Sequence, residues 1–293
     1  MPPSRWRTEG ADWPNRESSR FVAAGGVRWH VQVAGPESVA GKPPVVLLLH
    51  GTGAASHSWR DIIPDLARDY TVVAPDLPGH GFSSAIGAPT LPAMARAVAA
   101  LLAELQVEPA LIVGHSAGAA IGLRVAIDAH PAPLVSFNGA LLPFPGIAAK
   151  LFPAMAKLLF VNPLVPAIFA LQARGPGVVA KFLERATGSK IDARGVELYA
   201  RLFRRREHVA GALAMMANWD LAALAADFGR VRAPVRLVYG DRDAAIPPAV
   251  AADVAKRITG STTLAMPGLG HLAHEEDPTA AVRIIRESMP VRG

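Results

Sequence analysis

The chain has 293 residues, 51% of them hydrophobic and 18% charged, with no cysteine. That balance supports a packed core and excludes extended disorder, disulfides, Cys-ligated zinc and thiolate catalysis. The net charge of +6 favours anionic ligands, acidic partners or an anionic membrane surface. No nucleic-acid motif accompanies it, so nucleic acid is not expected as a partner.

Residues 1–20 carry Trp6 and Trp13 among charges and lack an apolar core segment, so they read as an ordered arm lying on the domain and not as a secretory signal. Phe21–Ala23 and Val27–Val33 flank Ala24-Gly25-Gly26 and predict a hairpin. Val45–Leu49 is a continuous apolar run, as expected of a strand buried on both faces of a parallel sheet. His50-Gly51-Thr52-Gly53 follows, then a helix near Ser58–Leu66 and a strand at Tyr70–Ala74. In the next loop, Asp76 and His80 are expected to hold the turn by local hydrogen bonds. Helical spacing covers Leu91–Leu105, a strand Ala110–Val113, a helix Ala117–Ala129 and a strand Leu134–Asn138.

From Leu141 to about Met216 the alternation stops and an apolar, Pro-punctuated helical segment takes over. It predicts a lid, residues 141–216, inserted into a core formed by 1–140 and 217–293. Phe144, Phe152 and Phe160 are its candidate substrate contacts. The longest uncharged stretch, Leu158–Ala173, is broken by Asn162, Pro163 and Pro166, too short to span a bilayer. A soluble, cytoplasmic protein is expected, with a membrane-surface contact left open. The Arg-rich run Arg201–His208 reads as a solvated helix face. The core resumes with a strand at Val235–Tyr239, a helix at Pro248–Ile258, a strand at Thr262–Met266 and a closing helix at Pro278–Ser288. Strands alternating with helices give an α/β class with a mostly parallel sheet covered on both faces.

Gly114-His115-Ser116-Ala117-Gly118 sits between a strand and a helix. This is the G-x-S-x-G turn that lifts a serine hydroxyl clear of the backbone. A serine needs a base within reach and an acid to orient that base, in the chain order Ser, Asp or Glu, His. Asp243, just before Ile246-Pro247, is the candidate acid; Asp241 is expected to make a turn or pair locally. His271, after Gly268-Leu269-Gly270, is the candidate base, and His274 is structural or a substrate contact. His115 is expected to face away from the pocket and line the core. The N–H groups of Thr52 and Ala117 are the candidate oxyanion donors. The chemistry requires no metal or cofactor, and no H-E-x-x-H spacing occurs.

These motifs resemble the α/β-hydrolase superfamily, whose fold carries a helical lid over such a serine. Three further stretches are the arm Trp6–Val22, Leu48–Trp59 and Ala74–Phe82. Together they resemble the magnesium-chelatase accessory proteins of bacteriochlorophyll biosynthesis. That resemblance implies a role near magnesium insertion into protoporphyrin, with a porphyrin-pathway or other acyl substrate and a contact with magnesium chelatase. Arg201, Arg204, Arg205 and Arg206 are then candidates for the propionates of such a substrate. Two functions stay open: a serine hydrolase of an ester, thioester or similar acyl compound, and a non-catalytic accessory protein that binds porphyrin or chelatase on a hydrolase fold.

Overall fold

The computed structural model describes residues 4–36, 43–143, 164–175 and 177–290. Strand β1 (Ser19–Ala24) turns through Gly25 and Gly26, both at positive φ, into β2 (Val27–Ala34). The parallel strands are β3 (Val45–Leu49), β4 (Thr71–Pro75), β5 (Pro109–His115), β6 (Leu134–Phe137), β7 (Val235–Gly240) and β8 (Thr262–Met266). They form one eight-stranded sheet in the order β1-β2-β4-β3-β5-β6-β7-β8. Only the β1–β2 and β2–β4 pairings are antiparallel. The fold is therefore the mostly parallel α/β sheet that the apolar runs predict.

The pleat sends alternate side chains of β3 to opposite faces. Leu47 and Leu49 join a core with Met94, Val98 and Leu101 of α2 (Leu91–Glu104) and Ile121 and Val125 of α3 (Ala117–Asp128). Val46 and Leu48 join the opposite core with Trp59, Ile62, Ile63 and Ile285. Every residue of β3 is buried, and each such leucine contributes about 2–3 kcal/mol through burial. Helix α2 starts where Thr90 accepts the Ala93 N–H on its side chain and Pro92 occupies the first turn.

The helix expected over Ser58–Leu66 is instead a 3-10 turn, Ser56–Trp59, followed by the four-residue α1 (Ile63–Leu66). Pro64 explains the break, because its ring would clash with the carbonyl four residues earlier in a continuous helix. Between β6 and β7 lie α4 (Val165–Gln172), α5 (Val178–Thr187), α6 (Ala193–Phe203), α7 (Arg206–Ala217) and α8 (Leu221–Ala226). After β7 come α9 (Ala249–Ala255), α10 (Ala273–Glu276) and α11 (Pro278–Glu287). The N-terminal arm packs down: Trp6 and Trp13 are buried against Phe82, Leu198 and Leu202. Asp12 ties the arm to α6 through Arg194 at 2.9 Å and Arg201 at 2.6 Å. No described helix is long and apolar enough to cross a membrane.

Candidate active site

The carboxyl ends of β3, β5, β6, β7 and β8 lie side by side, where ligands sit in open α/β sheets. β5 ends at His115 and α3 begins at Ala117, leaving Ser116 alone at the turn with φ 50° and ψ −114°. For a residue with a Cβ this backbone costs on the order of 1–3 kcal/mol. It is held by the Ser116 N–H, which donates to the Phe137 carbonyl at 3.0 Å, and by the Ser116 carbonyl, which accepts from Ala119 and Ala140. A methyl at Gly114 would collide with Ala119, and one at Gly118 with the Leu49 carbonyl. The two glycines let the elbow close.

The His50–Gly53 turn borders the serine: a Cβ on Gly51 would sit 3.1 Å from Ser116 Cβ. Among the described residues no backbone hydrogen bond engages the N–H of Thr52 or Ala117. The turn is fastened from two sides. His50 donates from Nδ1 to the Gly51 carbonyl at 2.8 Å and accepts the Leu77 N–H at Nε2. His208, on α7, donates from Nε2 to the Gly53 carbonyl at 3.0 Å and accepts the Gly81 N–H at Nδ1. Burial, the largest influence on each, lowers the pKa of both histidines and keeps them neutral.

Asp243 follows β7 and His271 follows β8. The His271 Nδ1–H donates to Asp243 Oδ2 at 2.7 Å, and the two side chains are 9% and 1% exposed. Asp243 Oδ1 accepts the Ala245 and Ile246 N–H groups at 2.7 and 2.8 Å. The carboxylate is thereby held in one plane against the imidazole. The structure thus brings Asp243 and His271 together. No hydrogen bond joins Ser116 Oγ to His271 Nε2 among the described residues, a link that is often long in unliganded hydrolases.

His115 is buried, as expected, and is also engaged: its Nε2–H donates to the His271 carbonyl at 2.9 Å. His274 is fully buried and bonded to Ser58 Oγ at 2.8 Å, which makes it structural and removes it from substrate contact. Asp241 lies in the turn after β7, as expected, and its Oδ1 accepts the Gly268 N–H from the β8 loop at 2.7 Å. Asp76 accepts from the Ser56 and Phe82 N–H groups and from His30, and His80 donates to the Pro78 carbonyl. The Arg-rich run is solvated only in part: Arg204, Arg206 and Glu207 are exposed, while Arg201 and Arg205 are half-buried. Arg201 is tied to Asp12 and Glu197, Arg204 to the Ala173 carbonyl, and Arg205 to the Gly81 carbonyl beneath a cation–π contact with Phe82. Those three guanidinium groups are held by the chain itself. Phe144, Phe152 and Phe160 lie outside the described residues.

Several residues that support the site carry no local sequence signal. The Thr187 carbonyl, at the end of α5, accepts the N–H of His271 at 2.8 Å and of Ala244 at 3.3 Å. Ser189 Oγ accepts the Leu272 N–H at 2.8 Å. Asn138 Nδ2 donates to Asp243 Oδ2 at 2.8 Å. Each partner is more than 50 residues away, so no window along the chain contains the pair.

The sequence matches the alpha/beta hydrolase family over residues 46–284. It is 41% identical over 271 residues to the magnesium-chelatase 30 kDa subunit of Rhodobacter capsulatus, covering 90% of this chain and 92% of that one. It is 31% identical over 253 residues to a pimeloyl-[acyl-carrier protein] methyl ester esterase of Aromatoleum aromaticum, covering 80% and 94%. The fold is similar to that of an alpha/beta hydrolase fold protein from Burkholderia ambifaria, with a TM-score of 0.73 at 24% identity over 92% of this chain and 99% of that one. The chain belongs to the alpha/beta hydrolase family, as a relative of the magnesium-chelatase 30 kDa subunit.

Proposed function

We propose that the chain is a serine hydrolase of an ester, thioester or related acyl bond. Ser116 Oγ attacks the acyl carbon while its proton passes to His271 Nε2. The carbonyl electron pair moves onto oxygen, where the N–H groups of Thr52 and Ala117 receive the negative charge. Asp243 holds the imidazole and balances its positive charge. Collapse breaks the bond to the leaving alcohol or thiol, which takes the proton from His271 and leaves an acyl ester on Ser116. Water then attacks that ester, giving its proton to His271, and the proton returns to Ser116 Oγ as the acid departs. A serine at the elbow disfavours dehalogenase and epoxide-hydrolase chemistry, which in this fold use an aspartate there.

The observation that carries this reading is the buried 2.7 Å pair of Asp243 and His271, taken together with a serine at the strand–helix turn whose backbone is held at φ 50°. We further propose that residues 141–216 act as a lid on a core of 1–140 and 217–293. The likeness to the chelatase subunit supports a role at a magnesium-chelatase step; we propose that this step belongs to bacteriochlorophyll biosynthesis in the cytoplasm, with a porphyrin-pathway ester as substrate. The same likeness, to a protein named as a subunit, also favours the second reading: an accessory protein that binds porphyrin or chelatase without turnover.

Fluorophosphonate labelling followed by intact mass separates the two. Wild type is expected to gain one adduct, Ser116→Ala none, and His271→Ala to react about 10²–10⁴-fold more slowly. Equal, slow labelling of wild type and His271→Ala would favour the accessory reading.

A further inference from the structure

Asn138 follows β6 with φ 49°, a left-handed backbone that asparagine tolerates better than most residues. Its N–H anchors the turn by donating to the Val238 carbonyl at 2.7 Å. The residue is 2% exposed. Its amide nitrogen lies 2.8 Å from Asp243 Oδ2 and 3.4 Å from the Gly270 carbonyl. Both neighbours only accept hydrogen bonds, so the amide must present its N–H groups to them; the flipped amide would set oxygen against oxygen. That leaves Asn138 Oδ1 on the other side, buried and with no protein partner.

Asn138 also lines a cavity of about 20 Å³ whose walls are mostly apolar, Leu141, Ile246 and Val254 among them, with Ser136 and Asp243 among its few polar residues. A second buried polar atom among its lining residues, Ser136 Oγ, also has no protein partner. Buried polar atoms are seldom left unpaired. A space of this size takes one water molecule, and the hydroxyl and the amide oxygen supply partners for it.

We propose that this cavity is an ordered-water site and that Asn138 is a positioning residue for Asp243. The water donates to Asn138 Oδ1 and shares a hydrogen bond with Ser136 Oγ, which fixes the plane of the amide. The amide then donates to the same Oδ2 that accepts the His271 Nδ1–H. The shared donor fixes that oxygen in the orientation in which it receives the imidazole N–H. The catalytic half of this proposal rests on the hydrolase reading; the water site does not.

The test is the pH profile of Ser116 labelling by a fluorophosphonate, with thermal unfolding as a control. The His271 imidazole is faced by the Asp243 carboxylate, by the His115 ring at 4.8 Å and, beyond that ring, by His274, and none of these is altered in the variants. Asn138→Gly keeps the left-handed backbone without strain. It is expected to slow labelling at neutral pH about tenfold and to raise the midpoint of the profile. Ser136→Ala is expected to slow labelling about two- to fivefold with a midpoint shift of the same sign. Asn138→Gly at the wild-type rate and midpoint overturns the positioning role, and Ser136→Ala at the wild-type rate and midpoint overturns the water link. Should Asn138→Gly fail to fold, a high-resolution crystal structure of wild type decides: density within hydrogen-bond distance of both Ser136 Oγ and Asn138 Oδ1 supports the site, and an empty cavity overturns it. If wild-type Ser116 takes no label, the hydrolase reading falls and the positioning role with it, while the density still decides the water.

Discussion

Glu275 is a carboxylate removed from water three residues after its loop contributes Leu272 to the core. Burial pushes its pKa up, and the Arg60 charge with hydrogen bonds from Ser58 and Tyr199 works against that rise. Its Oε2 accepts from Arg60 Nη1 at 2.8 Å, and its Oε1 accepts from Ser58 Oγ at 2.6 Å and Tyr199 Oη at 2.7 Å. Arg60 also reaches Asp192 at 3.0 Å, so one guanidinium links the sheet side of the molecule to the start of α6. Arg60→Ala leaves the carboxylate buried without its cation and is expected to cost about 3–5 kcal/mol. Urea unfolding measures this, and a loss below about 1 kcal/mol would mean that water reaches Glu275. Replacing both partners, Arg60→Met with Glu275→Leu, is expected to cost less than Arg60→Ala alone. The residues of the candidate site itself were legible at this scale, because Ser116, Asp243 and His271 each sit in a loop whose glycines, prolines and strand context mark it.

At the scale of elements, the end of α5 is wedged between the loops that carry Asp243 and His271, the candidate acid and base. Gly188 stops the helix at φ 70°, and a methyl there would collide with the Arg242 carbonyl. A methyl at Gly270 would strike the same segment from the other loop. With the Thr187 carbonyl accepting from both Ala244 and His271, the relative position of Asp243 and His271 depends on this helix end. Any displacement of this helix end would therefore disturb the pair. Ser189→Ala strands the buried Leu272 N–H and is expected to lower stability by about 1–3 kcal/mol. The same variant should slow Ser116 labelling severalfold. An unchanged labelling rate in a destabilised Ser189→Ala protein would separate the wedge from the catalytic geometry. Gly188→Ala is expected to be the more damaging change, since it adds a steric clash to a backbone that disfavours a side chain. Helical structure was expected across 141–216, but neither the bounds of this helix nor its docking was, because 187–189 meets partners more than 50 residues further along the chain.

Across the whole molecule, His50, His57, His80, His115, His208 and His274 are buried with pKa values lowered, in every case first by burial. For His57 the value falls to about 3, with the Arg60 charge adding to burial. The unfolded chain takes up protons at about pH 6.5, whereas the folded chain resists them. Each such histidine therefore removes up to about 1.4 kcal/mol of stability per pH unit as pH falls below about 6.5, until its folded pKa is reached. Asp76 acts at lower pH. Burial would raise its pKa, but the hydrogen bonds from His30 and from the Ser56 N–H hold it below the usual carboxylate range. Its contribution is present above about pH 4 and is lost on further acidification. The melting temperature is expected to fall between pH 7 and 5, before most carboxylates titrate. A flat profile over that range would show that these rings are protonated or exposed in the folded state.

What the sequence determined by itself is whatever is encoded within a few residues. Apolar runs with turn residues between them specify the strands, because a strand buried on both faces must be apolar throughout. The Gly-x-Ser-x-Gly spacing specifies the elbow, because only glycine lets that turn close. Tertiary structure alone decided how these pieces fasten to one another. Arg201, Arg204 and Arg205, which sequence offers as free cations for an acidic ligand, are tied down by Asp12, Glu197 and two backbone carbonyls. His274, equally open as a substrate contact, is sealed under Trp59 and bonded to Ser58. The pairing of Asn138 with Asp243 and of Thr187 with His271 likewise appears only once the sheet sets β6, β7 and β8 side by side. Charge and residue type are properties of the chain, whereas availability depends on which groups folding brings within about 3 Å, and that distance is unrelated to separation in sequence.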